Sequence, residues 1–270
     1  MRLPRRARAT GMAAGLLATV MTLVTACGGE EGETVAGGVE LVASDTLTVC
    51  THLPYPPFQF SRGEEVVGFD VDLLDLVAEE LGVTQEIVNT PFEGIETGET
   101  LNTLQCDAAA AGMTITKERE RVMDFSDPYF DATQALLTQK GTDIAALDEL
   151  GGMKLGVQVS TTGQEYAEEN APEDTELVQF EDLALLLTAV RNGQVDAGIN
   201  DNGVLYDYVK DNPHVEVTAE FDTDEQYGVA VETGNTALLD TINETLAAAR
   251  EDGTYDEIYE EWFGTTPTGS

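Results

Sequence analysis

Apolar residues along the chain alternate between two periods. Short β-type runs at residues 46–51, 85–90, 108–111, 154–159 and 195–200 are separated by segments whose apolar positions fall three or four apart. After Asp70, read as an N-cap, the residues Leu74, Val77, Ala78 and Leu81 predict a helix that Gly82 closes. Residues 182–192 predict another, with leucines on most faces and Gly193 at its end. Residues 108–111, four alanines, are too few for a helix and suit a strand buried on both faces, as in a parallel sheet. Residues 131–140 and 225–234 read as extended. Residues 235–264 read as two helices, docked through Trp262 and Phe263 onto the first half of the chain. This order predicts an α/β fold, whose ligands sit beyond the carboxyl ends of the strands.

Those strand ends carry the candidate chemistry. After 108–111 the backbone at Ala111 and Gly112 can approach a ligand closely, Thr114 offers a hydroxyl, and Thr116 can cap the turn 117–121. Arg119 lies in that turn, and a guanidinium presents a planar fork that matches a carboxylate bidentately. Strand 154–159 runs into Ser160, Thr161, Thr162 and Gly163, hydroxyls and free N–H groups at a helix start that suit a carboxylate. Strand 195–200 delivers Asn200, Asp201 and Asn202, where Asp201 is either the cap of helix 204–211 or a ligand for a cation. The loop HLPYPPFQF, residues 52–60, is a proline-stiffened aromatic wall.

The segment AGMTITKER followed by DFSDPYF resembles the central signature of the family 3 extracellular solute-binding proteins, receptors of polar amino-acid ABC importers. The resemblance continues through LTVCTHLPYPPFQF, VGFDVDLLDLVAEELGV, LDELGGMKLGVQVSTTGQEY, VDAGIND and GTYDEIYEEWFG, in the family's order over residues 45–264. It implies a two-lobed, type II periplasmic-binding-protein-like fold with crossover hinge strands at 131–140 and 225–234. Lobe 1 would comprise 46–132 and 225–264, and lobe 2 would comprise 133–224. It further implies that Tyr55 and Phe92 sandwich the ligand, that Arg119 takes an α-carboxylate and Asp201 an α-ammonium, and that Thr114 with Thr161 or Thr162 completes the hydrogen bonds. His52, Gln158 and Asn200 fall at the side-chain pocket. Receptors for basic amino acids in this family carry an acid at the position of His52, so histidine there predicts a polar uncharged ligand, with an acidic one as runner-up. The implied partners are a free amino acid and the membrane subunits of an importer, and the implied state is a monomer.

A dehydratase-like enzyme on the same fold is the second reading, with Glu165 or Glu232 as its acid, and a sensor ectodomain the third. The chain lacks a nucleophile elbow, HExxH and CxxC, and no cofactor or metal is expected.

Composition narrows the setting. The 270 residues carry a formal charge of −38, or −42 once Arg2, Arg5, Arg6 and Arg8 leave with a signal peptide, which excludes nucleic acid as a partner. Residues 1–26 read as an export signal: arginines, then an apolar run, then small residues before Cys27. Val24-Thr25-Ala26-Cys27 resembles a bacterial lipobox, which implies lipid on Cys27 and a membrane-anchored, extracytoplasmic protein. Residues 27–45 are glycine- and glutamate-rich and read as a flexible tether whose 18 residues after Cys27 reach roughly 25 Å. Cys50 and Cys106 remain. An exported pair argues for a disulfide. A three-residue register offset between their strands, at about 3.3 Å per residue, argues against one, and the pairing stays open.

Overall fold

The computed structural model describes residues 35–267, so the signal-peptide, lipobox and Cys27 expectations lie outside it. In order, the elements are β1 (Thr46–Thr51), β2 (Phe60–Arg62), β3 (Glu65–Val67), α1 (Phe69–Leu81), β4 (Thr84–Asn89), α2 (Phe92–Glu96), α3 (Glu99–Asn102), β5 (Ala108–Ala109), β6 (Asp124–Phe125) and β7 (Phe130–Gln139). Then come β8 (Lys154–Gln158), α4 (Thr162–Asn170), β9 (Glu176–Phe180), α5 (Leu183–Arg191), β10 (Ala197–Asp201), α6 (Asn202–Asp211), β11 (Val215–Tyr227), β12 (Ala230–Val231), α7 (Thr236–Asp252) and α8 (Thr254–Phe263).

Ten of these twelve strands form two five-stranded sheets, one per lobe, and β2 and β3 pair with each other as a two-stranded ribbon. The first has the order β4-β1-β5-β12-β6 and the second β11-β7-β10-β8-β9. In the first, β1 runs parallel to β4 and β5, while β12 pairs antiparallel with β5 and β6. In the second, β8 lies parallel between β9 and β10, and β10 meets β7 antiparallel. Long β7 and β11 pair antiparallel from Gln139↔Val215 to Phe130↔Tyr227, with an irregularity between Phe221 and Glu225. Both link the second sheet to the first. The return connection is therefore the full length of β11 followed by the short β12, rather than a single strand over 225–234.

The alanine strand β5 ends at Ala109, but Ala108 to Ala111 are all buried. Small side chains there let α1 and its neighbours close over the sheet. Helix α1 buries Leu73, Leu74, Val77 and Leu81 on one face against α7 and α8. Around the hinge, Phe58, Phe69, Phe130, Tyr227, Tyr259 and Phe263 form a continuous aromatic cluster with ring centroids 4.5 to 6.2 Å apart. Phe263 reaches it at the end of α8, and the Trp262 indole donates to Asp72 Oδ2 at 2.6 Å. Each well-placed aromatic pair adds about 0.5–1.5 kcal/mol beyond its buried area.

One open reading is decided and two need correction. Cys50 and Cys106 form a disulfide with Cα atoms 5.6 Å apart. The register argument against it assumed that Cys106 opens a strand, whereas β5 starts two residues later. The chain there bends, fixed by Asp107 N–H donating to Thr48 O, and brings Cys106 across to Cys50. The tether is also shorter than expected. Val39 and Leu41 are buried in the core of lobe 1, and Asp107 accepts from the N–H groups of Val42 at 2.6 Å and Thr48 at 2.8 Å, so the chain is docked from residue 35. Finally, Asp70 does not cap α1. Gly68 holds the cap position, and Asp70 accepts instead from Gly112 N–H and the Tyr129 hydroxyl, each at 2.8 Å.

Candidate functional site

The carboxyl ends of the strands meet in a narrow cleft between the lobes that opens to solvent. Lobe 1 contributes His52, Tyr55, Gln59, Phe92, Ala111, Gly112, Thr114 and Arg119, and lobe 2 contributes Gln158, Thr161, Thr162 and Asp201. Eleven of the twelve ligand-site residues expected from the sequence thus line the cleft, with Gln59 as an addition and Asn200 as the exception. Asn200 lies one layer back, where its Oδ1 shares the single Tyr55 hydroxyl proton with Asp201 and its Nδ2 donates to Gln158 Oε1 at 3.3 Å.

Gly112 is where the wall is thinnest. Its φ of +55° suits glycine, and a Cβ there would lie 2.9 Å from the Tyr55 ring. Asp70 fixes the turn through the Gly112 N–H. Burial raises the Asp70 carboxyl to about 6, opposed by those two donors.

Arg119 is 5% exposed and donates to Thr114 O at 2.9 Å and, across the cleft, to Ser160 O at 3.1 Å. Ser160 adopts a left-handed φ of +63°, a strained conformation for a non-glycine residue, and its carbonyl receives the guanidinium. The Phe92 ring lies 5.3 Å from the guanidinium carbon. Burial pulls Arg119 below its ordinary value, and Glu96, Glu165, Asp201 and Glu225 act in the opposite direction. Among the described residues no carboxylate comes within ion-pairing distance of it.

Asp201 follows β10 at the head of α6, yet its side chain makes no capping bond. It accepts instead from the hydroxyls of Tyr55, at 2.8 Å, and Tyr227, and from Gln134 Nε2. Burial, then Glu225, raise the Asp201 carboxyl to about 6, with the three donors opposing. The same Gln134 amide donates to Glu225 Oε1 at 3.0 Å, so a neutral side chain bridges two buried carboxylates with no cation in ion-pairing range among the described residues.

The hydroxyls divide into two roles. Thr161 caps α4, accepting from Gln164 N–H at 3.2 Å and donating to Gln158 O. Thr162 donates to Glu225 Oε2 at 2.8 Å. With both protons engaged, the α4 start offers its first-turn N–H groups at Thr162 and Gly163, which have no intrahelical acceptor. At the other wall, His52 Nδ1 lies 2.8 Å from Thr90 O, which places the proton of the neutral ring on Nδ1. His52 Nε2 and Gln59 Oε1 are then buried acceptors without a protein partner.

Residues 47–265 match the model of the bacterial extracellular solute-binding proteins, family 3. The chain belongs to this family. It is 34% identical to a putative ABC transporter arginine-binding protein of Escherichia coli, over 85% of this chain and 96% of that one. It is 37% identical to the ABC transporter glutamine-binding protein of Bacillus subtilis, over 75% of each. An ancestral arginine-binding protein solved with arginine superposes with a TM-score of 0.78 and 41% identity over 82% of this chain and 99% of its own. Family 3 membership makes the chain a two-lobed solute-binding protein, and these relatives are named as amino-acid-binding proteins of ABC transporters rather than as enzymes.

Proposed function

We propose that this receptor closes on the zwitterionic end of an L-α-amino acid and hands it to an ABC importer from a lipid anchor at Cys27. One observation carries the ligand reading: the cleft faces a buried guanidinium and a buried carboxylate, each without an oppositely charged partner. Such isolated charges cost several kcal/mol to desolvate, and an α-amino acid supplies both counter-charges at once. Arg119 and the N–H groups of Thr162 and Gly163 hold the α-carboxylate, and Asp201 holds the α-ammonium. Tyr55 and Phe92 provide the apolar walls.

The side chain then points toward His52, Gln59 and Gln158. With Nδ1 donating to Thr90 O, neutral His52 turns a lone pair to the cleft, and Gln59 Oε1 adds a second acceptor. Both call for N–H donors. Charge balance points the same way, because Arg119 against Asp201 and Glu225 leaves a surplus negative charge that a neutral zwitterion does not remove. Arginine is therefore the first reading, in place of the uncharged ligand that His52 alone suggested. Glutamine is the second, since its amide N–H groups meet the same acceptors and the ancestral arginine-binding protein is also solved with glutamine.

Thermal unfolding with each of the twenty amino acids tests this. A ligand at one hundred times its Kd adds about 2.7 kcal/mol of stability. Arginine should give the largest shift and glutamine the next, while a largest shift with glutamate or leucine refutes the assignment. Labelling with a fatty acid should mark the parent and not Cys27→Ala, and the importer's membrane subunits should co-purify with the protein.

A further inference from the structure

Glu225 enters the amino-acid reading only as a charge, with no role assigned to its contacts. It lies near the lobe 1 end of β11, opposite Ala132 of β7, and is 9% exposed. Its two oxygens accept four hydrogen bonds. Gln134 Nε2 and the Thr223 hydroxyl reach Oε1 at 3.0 and 2.8 Å, while Thr114 and Thr162 reach Oε2 at 2.7 and 2.8 Å. Thr114 stands on lobe 1 and Thr162 at the start of α4 on lobe 2, and both line the cleft. One carboxylate oxygen therefore collects a hydroxyl from each lobe.

That arrangement dictates what the two threonines can offer a ligand. A hydroxyl has one proton and two lone pairs, whereas an ionised carboxylate only accepts. Because both protons go to Glu225, only lone pairs remain on the two hydroxyls, and on Thr162 one of them faces Gln134 Nε2 at 3.4 Å. They can receive an N–H but have nothing to give a carboxylate. We propose that Glu225 is a positioning residue that polarises Thr114 and Thr162 as a pair of acceptors for the ligand's α-ammonium, and that it joins the two lobes through them. The inference rests on the amino-acid reading of the cleft and adds to it. Asp201 supplies the charge for the ammonium, and the threonine pair gives it directed acceptors on two sides. In a carboxylate lacking the α-amino group, the same lone pairs face the acid with no proton to donate.

The test compares ligands with and without the α-amino group. Isothermal calorimetry of the full-length protein would use L-arginine against 5-guanidinopentanoic acid, and L-glutamine against 4-carbamoylbutanoic acid. The parent should prefer each amino acid over its des-amino counterpart by at least a hundredfold. In Glu225→Gln, where an amide can donate to the threonines and let them turn protons to the cleft, the amino acid should weaken at least tenfold while the des-amino acid changes less than threefold. Thr114→Val and Thr162→Val, which keep side-chain shape, should each shrink the preference in the same direction. If Glu225 only held the hinge together, amino and des-amino ligands would weaken in proportion, and that outcome overturns the proposal. An unchanged preference in all three variants also overturns it. Absence of binding of both amino acids to the parent refutes the amino-acid reading itself and the proposal with it, and this result is visible before any variant is made.

Discussion

Lowering the pH should weaken the ligand grip through Asp201. Its carboxyl titrates near 6 in the ligand-free cleft, raised by burial first and Glu225 second. An ammonium bound beside it favours the charged form, so the complex keeps Asp201 ionised to lower pH. Binding is then multiplied by the fraction of free protein with Asp201 ionised. At pH 5, one unit below that value, the apparent Kd should rise about elevenfold, or about 1.4 kcal/mol, while at pH 7.5 the effect is only a few per cent. Calorimetry at pH 5 in buffers of different ionisation heat should show close to one proton released per ligand bound. Stability runs the other way. Because the folded value lies above the unfolded one, the acid form is favoured by folding. The ligand-free protein gains up to about 3 kcal/mol from Asp201 below the unfolded value, near 3.9, and loses it as pH rises through 6. Asp70, raised by burial to about 6, adds to this stability trend without contacting the ligand. A Kd constant within twofold between pH 7.5 and pH 5 refutes the reasoning, as does an undiminished slope in Asp201→Asn.

Replacing Arg119 with alanine should raise the Kd for the amino acid by about thirtyfold or more, from a loss of about 2–5 kcal/mol, and calorimetry showing a change under threefold contradicts the assignment. Opening the Cys50–Cys106 bridge in a double serine variant releases a loop of 56 residues, and the loop-entropy relation assigns about 4 kcal/mol to its closure, measurable by urea unfolding. Gly68→Ala should cost more than about 2 kcal/mol, since φ is +144° and a Cβ would sit 2.1 Å from Phe58 O; a thermal midpoint within one degree of the parent would contradict it.

What the sequence made legible was local. Strand ends announced themselves by small apolar residues running into hydroxyls and charges, and that placed Arg119, Thr114, Thr162 and Asp201 at one edge. Thr161 read equally well as a helix cap, and capping is what its hydroxyl does. Glu225 went unrecognised because its partners Thr114 and Thr162 lie 111 and 63 residues away, and its neighbours Glu220, Asp222 and Asp224 are also acidic. A period-two count would have helped, since Glu225 shares a strand face with buried Tyr227 and not with exposed Asp224. Gln59 was hidden inside a run that read as an aromatic wall. The cysteine pairing was obscured by treating residues 106–109 as one straight strand, when the peptide at Asp107 turns to hydrogen-bond Thr48.

The docking of residues 35–42 on lobe 1 would shorten the leash of a lipid-anchored receptor. If Cys27 holds the lipid, docking from residue 35 leaves seven residues of chain, 28–34, between the lipid and lobe 1 rather than eighteen. Seven residues cover at most about 25 Å even when fully extended. A shorter leash confines the receptor to a thinner layer above the membrane and so raises its local concentration at a neighbouring membrane protein. Encounter then depends less on how much receptor the cell makes and more on rotation about a short pivot. A variant in which Val39→Ser and Leu41→Ser undock the segment should keep its solution affinity and lose transport at limiting receptor, and inserting a rigid helical spacer after residue 34 should not restore it.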